Sequence, residues 1–189
     1  MATWDALVPT YNPSKILEVG SYEGQSICHV IQLMGKVHPL EVDCIDTWAG
    51  GQEHAGINMS DVEQRFDHNV AIACNSVSNP VNVVKIKSHS FIGLTHLIAQ
   101  KKLNYYDLIY IDGSHETPDV LADLVIAFRL LRVGGLMILD DYLWGLGVDA
   151  QPLLNPKLAI DSFLNCYQRK IQPHPFLPNY QLYCRKLSD

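Results

Sequence analysis

The chain has no Cys-x-x-Cys pair, no run of Lys or Arg, no internal repeat and no apolar stretch long enough to cross a bilayer. Each absence removes a class of function. The five cysteines, Cys28, Cys44, Cys74, Cys166 and Cys184, are scattered and odd in number. That pattern argues against a disulfide framework and for reduced thiols in a cytoplasmic setting. Cys44 falls in an apolar run, where a thiol serves as a small strand hydrophobe. The formal net charge is −6, from 14 Lys and Arg against 20 Asp and Glu, and the cations are dispersed, which speaks against nucleic acid as a partner. No segment approaches the ~18 apolar residues of a membrane span, and no amino-terminal stretch resembles a signal peptide. Hydrophobic residues make up 48% of 189, so one core and a single domain over residues 1–189 are expected.

What the chain has instead is alternation. Ile16 to Val19, Val42 to Ile45, Val81 to Ile86, Leu108 to Ile111 and Leu136 to Leu139 are short continuous apolar runs of the kind that forms buried strands. Helix-length amphipathic segments separate them. Ile27, Val30, Ile31 and Met34 recur at helical spacing from about Ser26, with Gly35 as the predicted C-cap. Ser60 and Glu63 have the spacing of a capping box ahead of Val62, Phe66, Val70 and Ala73. Ser90 is the expected cap of a helix bearing Phe91, Leu94, Leu97 and Ile98. Pro118 suits the first turn of another, with Val120, Leu124, Phe128 and Leu131 inward, before Gly134-Gly135 turns the chain into the fifth strand. Ala159 to Tyr167 reads as helix, and Tyr180 to Arg185 as a last strand. Such alternation predicts an α/β fold with a doubly wound parallel sheet.

Carboxylates punctuate the carboxyl ends of these strands. Asp46 closes the second run, Asp112 the fourth and Asp140-Asp141 the fifth. Open α/β sheets bind ligands at that edge, and neighbouring strands lie only ~4.8 Å apart. Asp112, Asp140 and Asp141 therefore converge, and three such charges repel unless they share a proton or hold a cation. After the first strand, Glu18-Val19-Gly20-Ser21-Tyr22-Glu23-Gly24 supplies glycines and a helix start, the means by which backbone approaches a ligand. The dinucleotide pattern G-x-G-x-x-G is not met. Trp48 to Met59, with Gly50, Gly51 and Gly56, lacks periodicity and reads as a lid or binding loop. His29, His38, His68, His96 and His174 show no metal spacing, and His54 sits within that loop.

Glu18-x-Gly20-x-x-x-Gly24, Asp46 and Asp112 together resemble the class I S-adenosylmethionine-dependent methyltransferases, over about Ile16 to Tyr142. Tyr22 occupies the middle position of that family's Gly-x-Gly-x-Gly turn, and His89 stands where many members carry an acid. The resemblance implies a Rossmann-like, mostly parallel seven-stranded sheet with an antiparallel edge strand. It implies S-adenosylmethionine as cofactor, with Glu18 near the methionine amino group and Asp46 on the ribose. Gly20, Ser21, Gly24, Thr47, Trp48, Ser88, His89, Ser90 and Asp112 would complete the cofactor site, Trp48 lying against the adenosine. Asp112-Gly113-Ser114-His115 with Asp140-Asp141 is similar to a metal-dependent O-methyltransferase branch acting on sugar hydroxyls. By that likeness Asp112, Asp140 and Asp141 hold Mg²⁺ or another divalent cation, and His115 and Asp112 are catalytic, His115 as base. Tyr142 to Asp149, with Trp144, Gly145 and Gly147, would line the acceptor wall. The expected partner is a small hydroxylated molecule. With only Ala2 to Pro13 ahead of the first strand, a homodimer partner is the expected source of a further wall. Two alternatives stay open: a metal-independent O- or N-methyltransferase, and an NAD(P)-dependent oxidoreductase on the same sheet.

Overall fold

The computed structural model describes residues 2–51, 56–145, 151–175 and 180–189. His54, Gly147 and Asp149 lie outside them. Seven strands form one sheet in the order β3-β2-β1-β4-β5-β7-β6. They are β1 Lys15–Val19, β2 Leu40–Asp46, β3 Val81–Lys87, β4 Tyr106–Ile111, β5 Leu131–Leu139, β6 Ile171–Pro173 and β7 Leu182–Lys186. The first five pair in parallel, while β7 runs antiparallel to β5 and β6 antiparallel to β7. The expected mostly parallel sheet with an antiparallel edge is present. The chain winds from β1 outward to β3, then returns to lay β4 on the other side of β1. The crevice between the carboxyl ends of β1 and β4 is thus the switch point at which such sheets bind ligands.

Six helices cover the two faces: α1 Ala2–Tyr11, α2 Gln25–Met34, α3 Met59–Asn75, α4 Ser90–Ala99, α5 Thr117–Leu130 and α6 Pro156–Cys166. Side chains alternate across each strand with period two, and this sorts the core into two layers. Leu17, Val19, Ile109 and Ile111 pack with Leu124, Phe128 and Phe163 beneath α4, α5 and α6. Ile16, Leu108 and Tyr110 pack with Ile27, Ile31 and Phe66 beneath α1, α2 and α3. Because both faces are covered, the central strands read as continuous apolar runs; edge strand β3 alternates between half-buried and exposed.

Several local expectations are corrected. Asn58, not Ser60, caps α3, its side chain accepting the Ser60 N–H, and Glu63 instead bonds Lys85 and Lys87 across to β3. Ser90 is the first residue of α4, following His89, whose side chain makes no cap bond. Phe91 is 58% exposed rather than buried. Gly35 has φ −66°, an ordinary helical value. Its glycine is needed for space, since a Cβ there would lie 2.8 Å from Val77. Two elements had escaped the sequence. Strand β6 has three residues, too short for any period. Helix α1 buries only Trp4 and Val8, one turn apart, with Trp4 edge-on to Tyr110 at 5.0 Å between ring centroids. All five cysteines are free thiols, and no helix of the described residues is long and apolar enough to cross a membrane.

Candidate active site

A cavity of about 1490 Å³ opens at the carboxyl edge of the sheet, over the β1–β4 switch point. Its first wall is the turn between β1 and α2. Gly20 and Gly24 have φ +83° and +81°, and Tyr22 between them is also left-handed at +46°, a conformation natural only to glycine. A Cβ on Gly20 would sit 1.8 Å from the Asp112 carbonyl oxygen, so the turn touches the β4 edge directly. Asp46 organises this turn. Its Oδ2 accepts the N–H groups of Ser21 and Tyr22, both at 2.9 Å, and its Oδ1 accepts that of Trp48 at 2.7 Å.

Glu18 lies beneath the turn at 1% exposure. The Ser26 hydroxyl donates to its Oε1, and Oε2 is buried with no hydrogen bond of good geometry. Burial, only partly offset by bonds from neighbouring serines, pushes its pKa up to about 7. A buried carboxylate in this state awaits a cation. Gly20, Ser21, Gly24, Thr47, Ser88, His89 and Ser90 line the cavity as expected; Glu18 sits just behind its wall and Trp48 does not face it. Trp48 is 3% exposed. Its ring packs on Phe66 at 4.9 Å and its indole N–H donates to the Tyr22 carbonyl at 2.9 Å. It braces the turn from below instead of flanking a ligand.

The acids form the second wall. Asp112 follows β4, and Asp140-Asp141 follow β5, with Asp141 left-handed at φ +54°. The ligand atoms that lie within 4.8 Å of one another belong to Asp112, His115 and Asp141; Asp140 stands outside that group. Asp140 is held by other bonds: Asp141 N–H to Oδ1 at 2.8 Å, Gln181 Nε2 to Oδ2 at 2.7 Å, and the Tyr110 hydroxyl. Tyr110 also reaches Asp112 Oδ2 at 2.9 Å. Burial, then the charges of Asp140 and Asp141, push the Asp112 pKa up to about 8. A neutral Asp112 can donate to the Tyr110 oxygen while Tyr110 donates to Asp140, so one proton relieves the repulsion. His115 Nε2 meets Asp141 Oδ2 at 2.8 Å, and its ring stacks on Trp144 at 4.6 Å. Tyr142, expected on the acceptor wall, turns instead to Asp161 on α6, its hydroxyl donating at 2.8 Å.

A family model described as a methyltransferase domain matches residues 17–142. The chain belongs to the methyltransferase-domain family. Solved structures of O-methyltransferases share its fold. An O-methyltransferase from Bacillus cereus in complex with S-adenosylhomocysteine is 18% identical, with a TM-score of 0.62 over 97% of this chain and 79% of that one. TomG of Streptomyces achromogenes, an O-methyltransferase of tomaymycin synthesis solved with S-adenosylmethionine, is 14% identical, with a TM-score of 0.67 over 99% and 78%. CalS11, a TDP-rhamnose 3'-O-methyltransferase of calicheamicin biosynthesis, is 15% identical, with a TM-score of 0.61 over 97% and 77%. No curated protein matches by sequence.

Residues that sequence reasoning missed complete this methyltransferase's site. Tyr110 was within reach, since it precedes Asp112 by two and must share its face of β4. Gln181 was not, because it arrives from the turn before β7. Its amide has one possible orientation: Oε1 accepts from Trp4 Nε1 at 2.9 Å and from the Tyr183 hydroxyl at 2.8 Å, leaving Nε2 to donate to Asp140. Helix α1 is thereby tied to the acids.

Asp123 on α5 is 1% exposed, and its Oδ2 lies 3.7 Å from where a Cβ on Gly113 would stand. Burial pushes its pKa up to about 7. The fold thus favours the protonated acid, while the unfolded chain releases the proton above about pH 4. Stability attributable to Asp123 is full at acid pH and falls as pH rises from about 4 to about 7. Asp123→Asn stays neutral throughout. Its stability relative to wild type should rise across that window by on the order of 2–4 kcal/mol. Urea midpoints measured from pH 4 to 8 check this, and parallel curves for the two proteins would refute it.

Proposed function

We propose that this methyltransferase transfers the methyl group of S-adenosylmethionine to a hydroxyl of a small molecule, a sugar or related natural product, with a divalent cation at the acid cluster. The observation that carries the reading is the meeting of Asp112, His115 and Asp141 within 4.8 Å, in the cavity that the glycine turn also lines. The tomaymycin and TDP-rhamnose enzymes of similar fold, both O-methyltransferases, support transfer to a hydroxyl oxygen. The chain's residues fit the donor. Glu18, buried with an unsatisfied oxygen, suits the methionine ammonium, and the Gly20 turn leaves no Cβ in the way. They also fit a cation. Two clustered carboxylates suit Mg²⁺ or Mn²⁺, and the raised pKa of Asp112 shows how poorly the acids tolerate one another without neutralisation.

Asp112 and Asp141 would hold the ion, with Asp140 fixing Asp141 through the intervening N–H bond. Bound there, the ion would stabilise the alkoxide that develops on the acceptor. His115, oriented by Asp141 and Trp144, takes the hydroxyl proton, near neutral pH. The oxygen forms its bond to the methyl carbon as the bond from carbon to sulfur breaks, and S-adenosylhomocysteine leaves. The turn and the acids contribute chiefly by holding donor and acceptor in line.

Two measurements test the reading. Calorimetry should find S-adenosylhomocysteine binding at about micromolar strength or better and no binding of NAD, the reverse ending the methyltransfer reading. EDTA should remove activity and Mg²⁺ should restore it, with Asp141→Ala insensitive to added metal. Full activity in EDTA would remove the ion and leave His115 acting alone.

A further inference from the structure

The cavity has no cation in its walls. Its lining includes Glu23, Asp46, Asp112, Glu116, Asp119, Asp140 and Asp141 but no Lys or Arg. Residues 52–55, 146–150 and 176–179, outside the described ones, contain no Lys or Arg either. Cations around this edge are paired with acids: Arg65 with Glu23 at 2.7 Å, Lys87 with Glu63, and Lys157 with Asp161. Lys15, opening β1, Arg132, opening β5, and Lys101 and Lys102, following α4, lie at the opposite end of the sheet.

Trp144 adds a second, independent feature. Its ring is 40% exposed at the cavity wall, beside His115 and near the exposed acids Glu116 and Asp119. The face of an open indole attracts both sugar C–H groups and ammonium ions.

We propose that the acceptor is a hydroxylated compound bearing a protonated amine, of the amino-sugar class, and that phosphorylated and nucleotide-activated sugars are rejected. The inference rests on the O-methyltransfer reading and assigns its substrate class. An ammonium entering here meets Glu116 and Asp119 while the indole covers the ring. A diphosphate entering here finds no Lys or Arg in the lining, and a single divalent cation, shared by Asp112 and Asp141, would leave the acids of the wall in excess. Placing like charges against one another is how a site excludes a partner.

Protein saturated with S-adenosylhomocysteine and Mg²⁺ is titrated by calorimetry with three probes of similar size: kanamycin A, maltotriose and TDP-glucose. Kanamycin should bind at least ten-fold more tightly than maltotriose, and TDP-glucose not at all. Glu116→Gln/Asp119→Asn, both at exposed positions, should lower kanamycin affinity about ten-fold; Glu116→Gln alone, about three-fold. TDP-glucose binding as tightly as kanamycin overturns the proposal, as does the absence of any preference among the three. Unchanged kanamycin binding in both variants also overturns it, since the amine would then be attracted to the acidic surface at large. Binding of S-adenosylhomocysteine itself, measured first, reports on the methyltransfer reading separately: its loss ends that reading, whereas its retention with TDP-glucose preferred ends only the charge assignment.

Discussion

His115→Ala is expected to lower kcat by about 10²–10⁴-fold while leaving the affinity for S-adenosylhomocysteine within about two-fold. The imidazole is held at the acid wall by Asp141 and Trp144, so its loss should spare the cofactor. Two groups compete for the role of base. Asp112, with its pKa raised to about 8 by burial, Asp140 and Asp141, is protonated at neutral pH without a cation and so is a poor acceptor; once a cation neutralises it, it is a ligand. His115 is held by Asp141 at 2.8 Å and by Trp144, and an imidazole is the side chain suited to take a proton in this position. If His115 served instead as a third metal ligand, excess Mn²⁺ should restore activity to His115→Ala. A base cannot be replaced in that way. Single-turnover rates across pH 5 to 9, with and without excess metal, separate the two. Wild-type turnover in His115→Ala would remove the residue from the mechanism.

The parts of this molecule legible from sequence are those set by local periodicity. Continuous apolar runs at Val42 to Ile45 and Leu136 to Leu139 announce strands covered on both faces, and the acids that end them must fall at one edge, whatever the packing. The closeness of Asp112 and Asp141 follows from parallel pairing of β4 with β5, and it was foreseen. Which of two adjacent acids turns into the cluster was not. Asp141 adopts a left-handed backbone, which redirects its side chain toward His115, while Asp140 is captured by Tyr110 and Gln181. That choice depends on a residue 41 positions along the chain, brought in by an antiparallel strand at the sheet's far side. Trp48 failed for a related reason. An aromatic residue after a ribose-binding acid suggests stacking on a base, yet Phe66 and the Tyr22 carbonyl offer it a buried site with its N–H satisfied. Asp123 gives no signal in the sequence: a charged residue within an amphipathic helix pattern is ordinarily solvated, and only the fold shows that it is buried.

Replacing Gly20 with alanine should do more damage than any other single methyl group added to this protein. The new Cβ would lie 1.8 Å from the Asp112 carbonyl oxygen, 2.4 Å from its carbon and 2.8 Å from the Gly113 Cα. A carbon and a carbonyl oxygen need roughly 3.3 Å, and all three obstacles are backbone, so no side chain can swing aside. The left-handed φ of +83° costs a further ~1–2 kcal/mol for any residue with a Cβ. Together these predict a destabilisation on the order of 3–5 kcal/mol, read as a lower urea midpoint. Gly24→Ala is the control, because it carries the same backbone cost but meets only the Phe66 ring, at 3.0 Å, and a ring can tilt. It should lose on the order of 1–2 kcal/mol. The contrast should be larger in function than in stability. Gly20 N–H bonds the Ile45 carbonyl at 2.9 Å and Asp112 N–H bonds the Val19 carbonyl at 2.8 Å, so the turn cannot lift without pulling both the Asp46 cradle and the Asp112 carboxylate out of place. Gly20→Ala should therefore weaken S-adenosylhomocysteine and Mg²⁺ together, whereas Gly24→Ala should weaken only the former. A Gly20→Ala protein with wild-type midpoint and both affinities intact would mean that the turn and the acid edge are not in contact.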